Sequence, residues 1–386
     1  MLTDLPYDPE ARRETPLAMK LKERIRREGP ISVAEYMTAC LQDPEHGYYR
    51  TKAAIGAKGD FITAPEISQV FGELIGLWCA VVWHQMGSPP RVNLVELGPG
   101  CGTLMRDALR AAKVVPGFSN AIELHLVETN AALRNAQTIT LTTAGCEPRW
   151  IEALLAVEEA TTGSFTTRVD IPKAPTLLIA NELMDTRPLR QVVRNNGLWL
   201  ERTVTLDDRG ELTFGCSSRS AHGVGGQVDQ SRPPADADIV ELTDGFGDVT
   251  VPLAEIAAEY PVAALFIDYG YVAQATGDTL QAVRFHKAEH PLTSPGEADL
   301  SALVDFKAIA EAVVKSGLAV DGPVTQAEFL GSLGIMERAS KLMSANPAKA
   351  AEIEMGVARL MAVPGMGSRF NAIGVRSRCL PPLPGF

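Results

Sequence analysis

Three things are scarce in this chain of 386 residues: basic charge, paired cysteine and long apolar runs. Lys and Arg number 36 against 47 Asp and Glu, and the formal net charge is -11. A phosphate-backbone partner needs a clustered basic face, so the balance argues against nucleic acid and suits a cationic substrate better. The cysteines, Cys40, Cys79, Cys101, Cys146, Cys216 and Cys379, are scattered and form no CxxC pair. That spacing suggests neither a metal site nor a disulfide framework, and it reads as a reducing, cytoplasmic compartment. Met1 to Glu14 is acidic and contains proline, without the basic and apolar regions of an export signal, and no transit peptide is evident. The most apolar helical stretch, Leu74 to Trp83, is too short to span a bilayer and is interrupted by Gly76, so it reads as a core helix.

What is present is an ordinary globular composition, 46% hydrophobic and 22% charged. The length predicts one large α/β unit with sizeable additions. Residues 1–90 read as an N-terminal helical and loop segment covering the site, and residues 91–386 as the ligand-binding domain. Between Leu17 and Gln42, apolar positions fall at helical spacing, including Leu21, Ile25, Ile31, Val33, Tyr36 and Leu41. A loop rich in glycine and aromatics follows, through Tyr48, Tyr49, Asp60 and Phe61, with a helix start near Thr63 or Ser68.

From Arg91 onward, near-continuous apolar runs alternate with helical patterns: Asn93 to Glu96, Glu123 to Glu128, Thr176 to Ala180 and Ala263 to Ile267. Such runs predict a doubly wound, mostly parallel sheet covered on both faces. Residues of about 191–250 form an insertion. Gln191 to Phe214 alternates polar and apolar residues and carries two hairpin-type turns, Asn195-Asn196-Gly197 and Asp208-Arg209-Gly210, which predicts antiparallel strands. Gly223 to Asp238 reads as an exposed loop.

The first apolar run ends in Glu96-Leu97-Gly98-Pro99-Gly100-Cys101-Gly102-Thr103, followed by a helical pattern. Glycine is needed where a strand turns sharply into a helix and a ligand must approach the backbone. A dinucleotide site reads G-x-G-x-x-G, but Thr103 breaks that template and the glycines run G-x-G-x-G. This spacing points to S-adenosylmethionine. Glu96 offers a carboxylate to the ammonium of its methionine end, and Glu128, ending the next run, can accept both ribose hydroxyls. Gly98, Gly100 and Gly102 form the loop itself; a purely structural tight turn is the bland alternative.

Thr176 to Ala180 ends in Asn181-Glu182-Leu183-Met184-Asp185, at the sheet edge where the methyl group has to lie. Glu182 and Asp185 could hold a guanidinium by charge-assisted hydrogen bonds, with Asn181 beside them. Both could equally cap a following helix. Asp268, at the end of the next run, reads either as a site residue or as a turn former.

Several blocks together resemble the MidA family: Gly59 to Gln69, Glu96 to Leu104, Ala180-Asn181-Glu182 with Asp185 and Pro188, Asp268-Tyr269-Gly270, and Pro295 to Leu300 with Val304-Asp305-Phe306. They run in order through most of the chain. Cys101, Leu183, Met184 and Arg190 depart from residues frequent in that family. The resemblance implies a class I, Rossmann-like methyltransferase core and S-adenosyl-L-methionine as cofactor. It also implies protein arginine N-methylation: symmetric dimethylation of the 49 kDa subunit of respiratory NADH dehydrogenase, acting in complex I assembly, with the mitochondrial matrix as the compartment of eukaryotic relatives. Over the Asp60 block it suggests closure on substrate by Asp60, Phe61, Thr63 and Glu66, with Tyr48, Tyr49 and Asp268 nearby. Two other functions stay open on the residues: a binding protein that uses the fold to chaperone a respiratory subunit without turnover, and a small-molecule methyltransferase. Oligomeric state is not legible.

Overall fold

The computed structural model describes residues 8–51, 62–159, 165–196, 198–220, 239–243, 246–272 and 277–386. Its main sheet is built from β1 (Val92–Leu97), β2 (Ile122–Val127), β3 (Arg149–Ile151), β4 (Thr176–Asn181), β5 (Val262–Tyr271), β6 (Ala319–Thr325) and β7 (Phe370–Arg376). They lie side by side in the order β3-β2-β1-β4-β5-β7-β6, and a short strand, Val304–Asp305, also pairs with β5. β1 to β5 run parallel and β7 runs antiparallel to β5 and β6. This is the class I methyltransferase arrangement. The order reverses between β1 and β4, and at such a switch point the strand ends splay apart and leave a crevice.

Strand alternation explains the burial. Along β1, Val92 and Leu94 join one apolar cluster, while Val95 and Leu97 join a second on the opposite face. Along β4, Leu177 and Ile179 face the first, and Leu178 and Ala180 the second. The first face is covered by α3 (Gln69–Gln85) and α4 (Thr103–Ala112). These two helices pack closely because α3 presents Gly72 and Gly76 one turn apart; a Cβ on Gly76 would sit 2.3 Å from the Ala108 carbonyl oxygen. The expected core helix Leu74 to Trp83 thus lies inside α3, and no described helix is long and apolar enough to cross a membrane.

The N-terminal helices α1 (Pro16–Glu28) and α2 (Val33–Gln42) are set by their ends. Thr15 caps α1 ahead of Pro16, and Ser32 with Glu35 forms a capping box on α2. Their apolar stripes share a core with the antiparallel insertion through Leu189, Val204 and Leu212. Residues 1–90 are therefore divided, with α1 and α2 packed on the insertion and α3 inside the main core. The insertion consists of strands Leu189–Asn195, Leu198–Leu206, Leu212–Ser220 and Ile239–Thr243, all antiparallel, with Ile31–Ser32 added at one edge. Its turns carry the positive φ that Asn196 and Gly210 tolerate. The expected loop Gly223 to Asp238 lies outside the described residues, as do Asp60 and Phe61.

Candidate active site

A cavity of ≈ 500 Å³ opens where β1 and β4 diverge, within the range of small-molecule sites. One wall is the loop after β1. Gly98, Gly100 and Gly102 all have positive φ, at 61°, 51° and 80°. A Cβ on Gly98 would also meet Leu183 Cδ1 at 2.7 Å, so the loop lies directly against the turn that follows β4. Gly98 and Gly100 line the cavity, while Gly102 stands behind them at the start of α4.

Glu96 lines the same wall and is 3% exposed. Its Oε2 has no hydrogen-bond partner among the described residues, and burial pushes the carboxyl up to about 8. A buried carboxylate oxygen left unmatched beside an open cavity calls for a cationic ligand group. The ammonium of S-adenosylmethionine meets that need. Glu128, at the end of β2, lines the next part of the wall. Its Oε1 accepts from the Asn130 amide at 2.8 Å, and its Oε2 accepts from Gln137 Nε2 at 3.3 Å. Burial raises the Glu128 pKa. Gln137 sits on α5 (Ala131–Leu141), fully buried; its Nε2 also donates to the Gly100 carbonyl at 2.8 Å, and its Oε1 accepts from Trp150 Nε1 at 2.7 Å. The residues present therefore fit the cofactor: an unmatched carboxylate for its ammonium, a glycine cradle for its backbone approach and an oriented carboxylate for its ribose.

The opposite wall is the turn after β4. Asn181 and Glu182 both line the cavity. Glu182 has φ 51°, left-handed backbone that a long side chain rarely adopts. Its Oε1 accepts from the Ala64 amide at 2.7 Å and from Asn181 Nδ2 at 3.2 Å, and burial pushes its pKa up to about 7. Thr63, which precedes the short helix Ala64–Ile67, makes no cap with its own side chain; the acceptor arrives from Glu182 across the cleft. Thr63 and Glu66 line the cavity as well, and Glu66 Oε1 accepts from Thr103 Oγ1 at 2.5 Å. The Thr63 to Ile67 segment is therefore bonded to both walls.

Three expected site residues lie elsewhere. Asp185 is buried behind the turn, outside the cavity wall, with Oδ1 unmatched among the described residues and a pKa pushed up by burial to about 7. The single 3-10 turn at Met184–Thr186 rotates it away from the cleft toward Tyr269 and Tyr49. Asp268 is fully buried and gathers backbone amides rather than facing a ligand. Tyr48 is core, 0% exposed, with its ring edge-on to Tyr49 at 5.1 Å. Tyr49 does line the cavity, and its hydroxyl donates to Asp299 Oδ1 at 2.8 Å.

Residue reading missed Gln137, the Glu66 and Thr103 pair, and the bidentate Arg187 to Asp248 ion pair on the cavity wall, with bonds of 2.8 and 2.7 Å. Asn130, immediately before α5 and capping it through Oδ1, was a legible helix start. Among the described residues no group of three or more His, Cys, Asp or Glu is gathered to hold a metal ion.

The chain is similar to known proteins over most of its length. Residues 74–324 match the family model of S-adenosyl-L-methionine-dependent methyltransferases. The chain is 34% identical over 382 residues to the mitochondrial protein arginine methyltransferase NDUFAF7 of Xenopus tropicalis, covering 94% of this chain and 87% of that one. It is 34% identical to the human protein of the same name, covering 92% and 82%. A crystal structure from Burkholderia thailandensis, bound to S-adenosyl-homocysteine, superposes with a TM-score of 0.79 at 25% identity over 97% of both chains. The cytoplasmic assignment drawn from composition does not stand. These relatives are named as mitochondrial proteins, so scattered cysteines and an acidic N-terminal stretch do not mark the compartment. The chain belongs to the MidA family of S-adenosyl-L-methionine-dependent methyltransferases.

Proposed function

We propose that the acceptor is an arginine of a protein and that Glu182 holds its guanidinium. The observation that carries this reading is the placement of a desolvated carboxylate, Glu182, on the wall facing the glycine loop of the same cavity. The relatives' name, protein arginine methyltransferase, supports the acceptor class. The finer expectation, symmetric dimethylation of the 49 kDa subunit of NADH dehydrogenase, rests on the family resemblance.

The cofactor, when bound, supplies a methyl carbon made electrophilic by a sulfonium. Everything else falls to the chain. Glu96 holds the ammonium end, Gly98 and Gly100 let the ligand approach the backbone, and Glu128 orients the ribose. Glu182 pairs with a guanidinium, which stays charged at working pH, and aims one nitrogen across the cleft. The guanidinium nitrogen would shed a proton on gaining the methyl, and Glu182, already paired with it, would be placed to receive that proton. A carboxyl that ionises near 7 is matched to receiving it. Lysine fits less well, because a carboxylate opposes the deprotonation an ammonium needs before it can attack.

The test is transfer of labelled methyl from S-adenosylmethionine to protein in a matched cell extract, by wild type and by Glu182→Gln. The substitution keeps side-chain shape and removes the charge. Turnover is expected to fall about 100-fold with cofactor affinity unchanged. Wild-type turnover in Glu182→Gln would overturn the assignment of Glu182. Dimethylarginine persisting on the 49 kDa subunit in a strain lacking this gene would overturn that substrate.

A further inference from the structure

The turn that carries Glu182 is tied down from the neighbouring strand in an unusual way. β4 and β5 pair in register up to Asn181 and Ile267, and the Glu182 amide still donates to the Ile267 carbonyl at 2.9 Å. Directly after it, three consecutive amides donate to one atom, Oδ2 of Asp268: Leu183 at 3.0 Å, Met184 at 2.8 Å and Asp185 at 3.2 Å. Oδ1 of Asp268 accepts from the Tyr269 amide at 2.8 Å. Asp268 is 0% exposed and is not part of the cavity wall.

The position of that clamp matters more than its strength. Glu182 sits at φ 51°, a conformation that a long side chain keeps only where the surrounding structure over-determines it. The backbone of Glu182 is held on both sides, by its own amide on Ile267 and by the next three amides on Asp268. With the backbone so fixed, its carboxylate reaches across to the Ala64 amide. We infer that Asp268 is a positioning residue for methyl transfer: by gathering the amides of residues 183–185 it holds Glu182 in the left-handed conformation that aims its carboxylate into the cleft. The inference rests on the reading that Glu182 meets the acceptor.

Two readouts separate aim from mere stability. The first needs no acceptor. The Ala64 amide is protected by Glu182 Oε1, so amide-resolved hydrogen exchange there reports where that carboxylate points. In folded Asp268→Asn, exchange at Ala64 is expected to rise about tenfold or more, approaching that of Glu182→Ala. Unchanged exchange at Ala64 would overturn the inference whatever the acceptor proves to be. The second readout is a double-mutant cycle. Asp268→Asn alone is expected to lower kcat about 10- to 100-fold, with the cofactor dissociation constant within about threefold of wild type. Added to Glu182→Gln it is expected to lower kcat no more than about twofold further, because it acts through that residue. Full additivity of the two would overturn the inference. If Glu182→Gln is itself as active as wild type, the Glu182 reading fails while the exchange test still judges Asp268. If the asparagine variant does not fold, Asp268→Glu keeps the charge, displaces the oxygens by one methylene and carries the same expectations.

Discussion

Glu96, next to last in β1, and Glu182, directly after the neighbouring strand β4, are both desolvated, yet they are held in opposite ways. Glu96 has an oxygen with no partner among the described residues and a carboxyl pushed up to about 8. Glu182 has donors from Ala64 and Asn181 and a carboxyl at about 7. On the proposed reading the wall at Glu96 is a fixed cradle suited to one cationic group. The proposed acceptor wall is a matched carboxylate bonded to the helix at Ala64 and followed by the turn that Asp268 clamps. Loss of the cradle should cost binding, whereas loss of the aim should cost turnover.

The largest expected effect breaks the cradle side alone. Gly100 sits at φ 51° on the cavity wall, and its carbonyl is held by Gln137. Gly100→Val places a β-branched side chain in left-handed backbone and in the path of the ligand. About 3 kcal/mol or more is at stake, so cofactor affinity should fall at least about 100-fold by calorimetry. A folded variant with unchanged affinity would mean that the loop does not hold the cofactor, and the contrast between the two walls would collapse.

The next effect, on Glu96, can be read by pH. Its folded-state carboxyl lies near 8 against 4.5 for the free group, so between those values the folded state binds the extra proton. Stability of the cofactor-free protein therefore falls as pH rises through that window, by at most about 1.4 kcal/mol per unit from this group. Glu182 and Asp185, both raised to about 7, add slopes of the same sign at lower pH. Cofactor affinity runs the other way, since the ammonium needs the carboxylate and should bind more tightly from pH 6 to 7.5. Glu96→Gln should weaken cofactor binding by about 2 kcal/mol, roughly 30-fold at pH 7.5, and flatten both slopes. Chemical denaturation across pH with and without cofactor checks it. A wild-type pH slope retained in the variant would assign the titration to another group.

What sequence reading could and could not reach follows the same division. The cradle is local: a strand, G-x-G-x-G and a helix in one stretch, with Glu96 inside the motif and Glu128 at the end of the next apolar run, so spacing alone pointed to the cofactor. The parallel strands were legible because burial on both faces leaves continuous apolar runs. The acceptor wall is assembled from afar. Glu182 meets Ala64 across 118 positions, and Asp268 meets Leu183 across 85. No local pattern distinguishes an Asp that binds three amides from one that binds a ligand, so the sequence leaves Asp268 open between site residue and turn former and Asp185 between guanidinium ligand and cap, and neither lines the cleft. Tyr48 and Tyr49 are adjacent and chemically identical, yet one is core and the other cavity wall. Only the short helix Tyr48–Thr51 decides which ring turns inward.

The smallest expected effect sharpens the comparison by acting behind the cradle without touching the ligand. Trp150 stands outside the cavity wall, which at this edge is formed by Glu152, Ala153 and Leu154. Its indole instead donates to Gln137 Oε1 at 2.7 Å. That bond fixes which way the Gln137 amide faces, and the amide nitrogen then reaches both the Gly100 carbonyl and Glu128. Trp150→Phe removes the donor and leaves the buried Oε1 without a partner. The amide then loses its orientation, and the loop and the ribose carboxylate lose a shared support. A neutral hydrogen bond contributes about 1 kcal/mol, so cofactor affinity should weaken about fivefold. The kcat at saturating cofactor should stay within about twofold, because Glu182 and Asp268 are not part of this chain of bonds. Calorimetry for affinity and saturated turnover for kcat separate the two walls. A fall in kcat as large as the fall in affinity would show that the cradle also sets the aim, and the two walls would then have to be treated as one unit.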